Sequence, residues 1–298
     1  MCGIALVADA RGRRSHDTVS EALGALVRLT HRGAPAETAS IDGSGILSQI
    51  PWDVFADDLP AAFAGGRTPR VLGMFFMPRV RVSALEDLIA EEMRRAGFSG
   101  CCWRTVPVSF EAFDSRRTAG FPAIVQLAAI AGPSIPDVER ALYSARQRIE
   151  AVTLPDVKAG FALVSLSSRT VVYKGLLTPS ELARFYPDLR DPNFRSAIAI
   201  VHQRFSTNTG VRWGLAQPFQ VLAHNGEIAT VDGNRRSTGA RLRESGVATT
   251  LGTPADQWAS DSQSLDVAAQ ALMAGGCELP LALARLVPPA WENRPRSG

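Results

Sequence analysis

The stretch "MCGIALVA" at residues 1–8 decides how this chain folds. Residues 3–8 form a short apolar run bounded by polar residues, which predicts a buried β-strand. Cys2 stands directly before that run, behind a methionine of the kind that is usually removed when a small residue follows it. A mature chain would then carry a thiol and an α-amino group on one residue, held at the end of a sheet. The same pattern also fits a small buried residue at the start of a strand.

Composition places the chain among folded globular proteins and excludes two classes of partner. It has 298 residues, 46% of them apolar, which is enough for one large domain or two small ones. The net charge is only +3 and no run of Lys and Arg with interleaved aromatic residues occurs, so we expect no nucleic acid partner. The longest apolar stretch, residues 123–132, is interrupted by Gln126 and is too short to cross a membrane. We therefore expect no membrane segment.

The N-terminus and the cysteines favour a cytoplasmic location. We expect no secretory signal, because a basic leading region is missing and Asp9 and Arg11 follow the first apolar run. The four cysteines are Cys2, Cys101, Cys102 and Cys277. They show no CxxC spacing and the histidines form no HxxxH pair, so we expect no metal site and interpret Cys101 and Cys102 as packing residues. A reducing cytoplasm suits a working thiol at Cys2.

Alternating strands and helices predict a layered organisation. After the first strand we expect a helix over residues 17–29, with Asp17 as its N-cap, and then a glycine-rich loop over 30–50 that leads into a second strand. Residues 71–167 have the pattern of strand, helix, two strands, helix and strand, which suggests an α/β insertion at about 70–155. Residues 169–175 are expected to pair with the strand before them through a tight turn.

The last third of the chain has polar clusters at the ends of its predicted elements. Strands are expected over 197–202 and 220–224, and helices over 235–244 and 261–274. The polar clusters are residues 202–209, 224–228 and 260–266. A rigid scaffold holds side chains at the ends of regular elements, so these clusters are candidates for a functional site.

These clusters contain the groups that would recognise a free amino acid with a side-chain amide. Arg204 offers a planar pair of donors for an α-carboxylate. Asp261, at a predicted helix N-terminus, and Glu227 are candidates for the α-ammonium. The side-chain amide of Asn225 and the backbone N–H of Gly226 could stabilise a tetrahedral oxyanion. A thiol nucleophile would complete the chemistry, with an α-amino group of pKa near 8 as its base.

Each of these features alone has a simpler structural interpretation. An Asn-Gly pair between strands is by default a hairpin turn. A lone arginine is usually a surface or ion-pair residue, and Ser260 with Asp261 makes a good helix cap. His202 and His224 stand at predicted strand ends and are interpreted as core or supporting histidines. The functional interpretation depends on all of these features occurring in one chain.

Ordered motifs along the chain resemble those of the class II glutamine amidotransferases, whose domain belongs to the N-terminal nucleophile hydrolases. The motifs are "MCGIA", "LTHRGA", "DGSGIL", "HQRFSTNT", "LAHNGEI" and "SDS". The segments "FFMP", "WRTVPV", "SLSSRTVVYKGLLTP", "FYPDL" and "PPAWEN" are similar, in the same order, to the amidotransferase domain of the glutamate synthase large subunit. The resemblance implies an α+β fold, the four-layer αββα sandwich of these hydrolases, in one amidotransferase domain over residues 2–298.

The resemblance implies a role in catalysis for a first group of residues. Cys2, made N-terminal by removal of Met1, would attack the carboxamide of glutamine and form a thioester, with its own α-amino group as the base, directly or through water. Asn225 and Gly226 match the oxyanion pair of the family. Arg32 matches the arginine of an "HRG" motif that lies near the nucleophile.

The resemblance implies substrate binding for a second group. Arg204 matches the arginine that binds the substrate carboxylate, with Phe205 and Thr207 beside it. Asp261 matches the acid that binds the substrate ammonium, assisted by Glu227. Hydrolysis of the thioester would release glutamate, and the ammonia would pass to a glutamate-synthase-like partner.

The resemblance places the cofactors on that partner and none on this chain. FMN and the iron–sulfur cluster belong to other domains of glutamate synthase, so the partner would be a flavin subunit or the remainder of the large subunit. The family's domain normally continues with further strands after a segment like "PPAWEN". Three interpretations stay open: a stand-alone subunit that closes its sheet differently, a domain completed by a neighbouring polypeptide, and a truncated product without function. Ala229, Val231 and Asp232 depart from the family pattern, and we expect altered loop contacts there.

Two alternatives remain open. The chain could be a catalytically inactive or truncated subunit that binds glutamine or a partner for regulation. It could also be an N-terminal-nucleophile amidohydrolase that acts on another amide. Arg204 together with Asp261 argues against another amide, because the pair would recognise both charged groups of a free amino acid.

Overall fold

Two four-stranded antiparallel sheets form the centre of the protein. The computed structural model describes residues 2–32, 43–63, 68–111, 113–203, 212–225 and 260–287, and in addition residues 228, 230, 231, 233 and 234. The strands are β1 Gly3–Ala8, β2 Ser44–Gln49, β3 Arg70–Met77, β4 Phe98–Thr105, β5 Ala123–Ala131, β6 Ala162–Ser167, β7 Thr170–Gly175 and β8 Ile198–Gln203. The first sheet has the order β1-β8-β2-β7 and the second the order β4-β5-β3-β6.

Helices pack against both sheets. They are α1 His16–Arg28, α2 Val82–Arg95, α3 Ser115–Thr118, α4 Val138–Val152, α5 Pro179–Phe185, α6 Asp261–Ala274 and α7 Leu279–Leu286. Helix α1 lies against β1 and β8 and α5 against β2, whereas α2 lies against β4 and α4 against β6. This arrangement confirms the α+β sandwich that the motifs imply. Within the described residues, no helix combines the length and apolar character that crossing a membrane requires.

Strand β3 shows how the sequence builds the layers. Side chains of a strand point alternately to opposite faces. Leu72 and Phe76 belong to the core that also contains the strands of the first sheet. Val71, Phe75 and Met77 pack instead with the apolar faces of α2 and α4. A strand that is buried on both faces must lie between two layers, which explains why its sequence is apolar throughout.

The strand and helix order predicted for residues 71–167 is confirmed, and this segment supplies all four strands of the second sheet. The pairing predicted for residues 169–175 is wrong, because β7 pairs with β2 whereas β6 pairs with β3. The two strands meet at an edge of each sheet, where the Val172 N–H donates to the Ser165 hydroxyl at 3.2 Å. Both strands are buried on both faces, so alternation in the sequence could not identify their partners.

Two further predictions need correction. Helix α1 begins after Ser15, whose hydroxyl accepts a hydrogen bond from the Thr18 N–H at 3.2 Å, so Asp17 lies in the first turn and is not the N-cap. Residues 220–224 form no strand, because the N–H groups of Val221 and Leu222 both donate to a side chain of α6. The helix predicted over 235–244 lies outside the described residues.

Candidate active site

Cys2 precedes β1 at one end of the first sheet. Strand β1 pairs with β8, in a register that places Gly3 opposite Gln203. A side chain at Gly3 would meet the Cβ of Leu29 at 3.0 Å, so the glycine lets the 3-10 turn Leu29–Arg32 close onto the strand. The Cys2 residue is half-buried. The fold therefore holds the predicted nucleophile at a partly open position, with the turn that contains Arg32 packed next to it.

The side-chain amide of Asn225 forms hydrogen bonds with both backbone groups of Cys2, the nitrogen and the carbonyl. The Cys2 backbone nitrogen lies 3.2 Å from Asn225 Oδ1, and Asn225 Nδ2 donates to the Cys2 carbonyl at 3.0 Å. A side-chain amide that pairs with both groups acts like one residue of a neighbouring strand. Two predicted catalytic residues that are 223 positions apart in the sequence are thus in direct contact.

Asp261 is the first residue of α6, and Ser260 caps that helix by accepting a hydrogen bond from the Gln263 N–H at 3.2 Å. The Ser262 hydroxyl lies 3.5 Å from His224 Nδ1, so the first turn of α6 lies next to the residue that precedes Asn225. The Asp261 side chain is exposed. The structure therefore brings Cys2, Asn225 and Asp261 to one region at the end of the first sheet.

The remaining predicted site residues lie outside the described residues. They are Arg204, Phe205, Thr207, Gly226 and Glu227. Strand β8 ends at Gln203, directly before the first of them, and Asn225 directly precedes Gly226. Their roles stay predictions.

His202 supports the site from inside the sheet. It is fully buried, and its Nε2 lies 3.1 Å from the His224 carbonyl oxygen. Because a carbonyl oxygen only accepts, Nε2 carries the proton, and within the described residues Nδ1 has no hydrogen-bond partner. Burial lowers the pKa of His202 to about 4, so the ring is neutral at physiological pH. The interpretation of His202 as a core histidine is confirmed.

Segment 213–225 lies across the first sheet, above a row formed by Lys174, Gly45 and His202. A side chain on Gly45 would come within 2.6 Å of the Gln217 carbonyl oxygen, so only glycine admits the segment there. Lys174 Nζ donates to the Gly214 carbonyl at 2.9 Å, and burial lowers the pKa of Lys174 to about 7. The sheet thus provides a fitted surface for the segment that ends in Asn225.

Sequence reasoning missed the residues that hold this segment. Gln217 Oε1 accepts a hydrogen bond from the His224 N–H at 2.8 Å, and Asp266 Oδ1 accepts the N–H groups of Val221 and Leu222. One signal for Asp266 is present in the sequence. It is a carboxylate within the largely apolar stretch of α6, four residues before another buried polar side chain, Gln270.

Comparisons with known proteins show the family of this chain. The family model "Glutamine amidotransferases class-II" matches residues 2–297. The chain belongs to the class II glutamine amidotransferases. The family that the motifs imply is therefore confirmed over nearly the whole sequence.

The relatives of this amidotransferase chain are much longer proteins. It is 37% identical over 309 residues to ferredoxin-dependent glutamate synthase 2 of Arabidopsis thaliana, covering 99% of this chain and 19% of that protein. It is 34% identical over 304 residues to the glutamate synthase [NADPH] large chain of Azospirillum brasilense, covering 97% of this chain and 20% of that protein. The chain thus spans about a fifth of the length of the curated relatives that it matches.

Proposed function

We propose that this amidotransferase chain hydrolyses the side-chain amide of L-glutamine to glutamate and ammonia, with Cys2 as the nucleophile. Family membership gives the class of reaction. The observation that carries the proposal is the contact between Asn225 and both backbone groups of Cys2, since it joins a nucleophile and an oxyanion donor. We further propose that residues 2–298 act as one amidotransferase domain.

The reaction begins with a proton transfer within Cys2. Removal of Met1 makes the Cys2 nitrogen an α-amino group, with a reference pKa of about 8 that suits a base at neutral pH. It takes the thiol proton while Sγ forms a bond to the carboxamide carbon of glutamine, giving a tetrahedral oxyanion. Asn225 Oδ1, 3.2 Å from the Cys2 nitrogen, accepts a hydrogen bond from the amine and orients it.

The oxyanion is stabilised by N–H donors. A side-chain amide nitrogen carries two N–H groups, and one of those on Asn225 donates to the Cys2 carbonyl. The second N–H faces the oxyanion, together with the backbone N–H of Gly226. One such donor typically contributes about 10²- to 10³-fold in rate.

Two further steps complete the turnover. The tetrahedral intermediate collapses, the carbon–nitrogen bond breaks, and the α-ammonium of Cys2 gives its proton to the leaving nitrogen, which departs as ammonia. A glutamyl thioester on Cys2 remains. Water then loses a proton to the same amine and attacks the thioester, which releases glutamate and restores the thiol.

Substrate recognition is proposed for the charged residues around this centre. Arg204, with Phe205 and Thr207 beside it, binds the α-carboxylate, and Asp261 with Glu227 binds the α-ammonium. A guanidinium meets a carboxylate with two parallel hydrogen bonds that an ammonium group cannot reproduce. Arg32, in the turn that packs next to β1, is proposed to support the nucleophile.

We propose that the ammonia passes to a glutamate-synthase-like partner, either a flavin subunit or the remainder of a large subunit. The support is that the relatives named above are glutamate synthases. FMN and the iron–sulfur cluster would belong to that partner, so no step on this chain uses a cofactor. A cytoplasmic location fits a reaction that needs a reduced thiol.

A glutaminase assay on the purified chain tests the proposal. We expect glutamate and ammonia to form in equal amounts from glutamine. A diazo-ketone analogue of glutamine should alkylate Cys2 alone, and excess glutamine should prevent the labelling. Labelling of Cys101, Cys102 or Cys277 in place of Cys2 would refute the assignment, and so would the absence of glutamate formation.

Arg204→Lys tests the binding half of the proposal. Loss of the paired hydrogen bonds should raise KM for glutamine by about 10-fold or more, with a smaller change in kcat. An unchanged KM would refute the role of Arg204.

A further inference from the structure

We propose that Asp266, a buried carboxylate in the middle of α6, positions the segment that presents Asn225 to the reacting centre. This inference rests on the proposed glutaminase function. It assigns to Asp266 a positioning role, since the side chain acts on Asn225 through the backbone of segment 213–225 and not on the substrate.

The backbone of residues 220–224 binds a helix side chain in place of a neighbouring strand. Residues 220–224 follow the pattern of a strand, yet they pair with no strand of the structure in the described range. The N–H groups of Val221 and Leu222 donate to Asp266 Oδ1, each at 2.9 Å. Asp266 is 2% exposed, and its Oδ2 accepts a hydrogen bond from Gln270. One buried carboxylate therefore replaces the hydrogen bonds that a neighbouring strand would supply.

The contact of Asp266 with Val221 and Leu222 lies between two other points at which the segment is held. Gln220 binds the backbone of Leu166 in β6 with its whole side-chain amide, accepting from the N–H at 2.7 Å and donating to the carbonyl at 2.7 Å. At the other end, His224 is held by Gln217 and His202. Asp266 thus fixes Val221 and Leu222, two of the three residues between the anchor at Gln220 and the anchors at His224. Loss of the carboxylate would remove the acceptor of these two N–H groups.

The surroundings of Asp266 affect the charge of its carboxyl group. Burial raises the pKa of Asp266, whereas the Val221 and Leu222 N–H groups, the Gln270 amide and the nearby positive charge of Arg146 lower it. Arg146 lies on α4 and Lys174 on β7, the helix and the strand on either side of the segment. The net effect raises the pKa of Asp266, with burial as the largest cause. When ionised, the carboxylate forms stronger hydrogen bonds to N–H groups than a neutral acceptor does.

Helix α6 carries both Asp266 and a candidate substrate-binding residue. Helix α6 begins with Asp261, the candidate for binding the substrate ammonium, about 7.5 Å along the helix axis from Asp266. The same helix therefore holds the ammonium site directly and the Asn225 amide indirectly. A displacement of about 1 Å between such groups can lower a rate by about 100-fold. Asp266 sets the distance between substrate binding and oxyanion stabilisation.

Asp266→Ala and Asp266→Asn separate positioning from general stability. Asparagine keeps an acceptor oxygen for the Val221 and Leu222 N–H groups, whereas alanine removes it. We expect Asp266→Ala to lower kcat for glutamine about 100-fold with KM changed less than about 3-fold, and Asp266→Asn to restore kcat to within about 10-fold of the wild type. Amide hydrogen exchange of segment 213–225 should rise in the alanine variant and stay low in the asparagine variant.

Glu139→Ala provides a matched control. Glu139 Oε1 also accepts a backbone N–H, that of Ser168 at 2.8 Å, at the turn between β6 and β7. That turn adjoins Thr170, whose partner Gln49 lies at the other end of the first sheet from Ser44 and Cys2. We expect this variant to lower Tm without lowering kcat.

Two results would overturn the inference: a kcat for Asp266→Ala no lower than that of Glu139→Ala, or an asparagine variant as inactive as the alanine variant. A wild-type chain that forms no glutamate would refute the proposed function instead. The exchange comparison between the two Asp266 variants would then decide the positioning role by itself. Equal exchange in both variants would refute it.

Discussion

Strands β1 and β3 have similar apolar sequences and very different positions. β3 lies between β5 and β6, and every residue from Val71 to Met77 is buried. β1 lies at the edge of the first sheet, where Ile4 is 36% and Leu6 61% exposed. An apolar run therefore predicts a strand but not whether the strand is central or peripheral. Only the pairing with other strands decides that position.

The two strands differ in what they can contribute: packing in the case of β3, and the position of the predicted nucleophile in the case of β1. The buried side chains in the middle of a central strand contribute packing and are withheld from a substrate. The edge strand holds Cys2 half-buried, against a single described neighbour strand, β8. We infer that β3 determines how stable the sandwich is and that the start of β1 determines what it does.

The largest expected effect is that of Cys2→Ser on the edge strand. Replacing the thiol by a hydroxyl of similar size removes the nucleophile, so kcat for glutamine should fall by about 10³-fold or more while Tm stays within about 2 °C. Steady-state glutaminase kinetics and thermal unfolding measure the two quantities. Cys277→Ser, on a half-buried cysteine next to α7, serves as the control and should leave both unchanged. A Cys2→Ser variant with normal kcat would contradict the role given to β1.

Phe75→Ala on the central strand should have the opposite profile. Phe75 is fully buried, with its ring 5.6 Å from Trp103 and 6.5 Å from Phe161. The cavity should lower the free energy of unfolding by about 3–5 kcal/mol, with kcat per folded molecule unchanged. Denaturant titration and active-site labelling measure these quantities, and Phe75→Leu should lose much less stability. A specific fall in kcat of the folded fraction would contradict the separation.

The free energy of unfolding should depend on pH through a residue paired with β1 and not through the residues paired with Met74 of β3. The partner of Ile4 in β8 is His202, whereas Met74 of β3 faces Gln126 and Ser165, which do not titrate. The pKa of His202 is lowered to about 4 in the folded protein, so its contribution to stability is complete above about pH 6.5 and is lost as the pH falls toward 4.

Denaturant titration measures that pH term. As the pH falls from 6.5 to 5, the lowered pKa of His202 should reduce the free energy of unfolding by about 2 kcal/mol. His202→Gln keeps a donor for the His224 carbonyl and should lose this part of the pH dependence, whereas carboxylate contributions remain. Equal pH dependence in the two proteins would contradict a buried neutral His202.

The smallest effect is expected for Leu6→Thr. Leu6 is 61% exposed on the edge strand, and threonine has a high preference for strands, so the free energy of unfolding should change by less than about 0.5 kcal/mol. Chemical denaturation at a fixed pH measures it, with Leu72→Thr in the core of β3 as the contrasting variant. A loss above about 1.5 kcal/mol for Leu6→Thr would show that another layer covers β1.

Much of the fold could be predicted from the sequence, because most elements are marked by local signals. The bounds of α6, Asp261–Ala274, agree with the predicted ones. The pairing of β6 and β7 was wrong, since two strands buried on both faces carry no alternation that identifies a partner. Residues 220–224 have strand composition, but their N–H groups bind Asp266, which comes from a helix more than forty residues later.

The candidate site was predictable to the extent that its chemistry lies in short motifs. Cys2, Asn225 and Asp261 were predicted together and are brought together. Asp266 was not assigned a role, because its function depends on which backbone groups it accepts, and residue type alone does not reveal them. Candidates for contact with a substrate can be predicted from motifs, whereas the residues that hold those candidates in place require the fold.

The most direct test of the central claim is mass spectrometry of the native protein during turnover. After mixing with glutamine and rapid quenching in acid, we expect a chain without Met1 that carries a glutamyl group on the N-terminal peptide, at Cys2. The adduct should be lost on treatment with hydroxylamine, which cleaves thioesters. A native chain that retains Met1, or a glutamyl group found on any cysteine other than Cys2, would contradict the account.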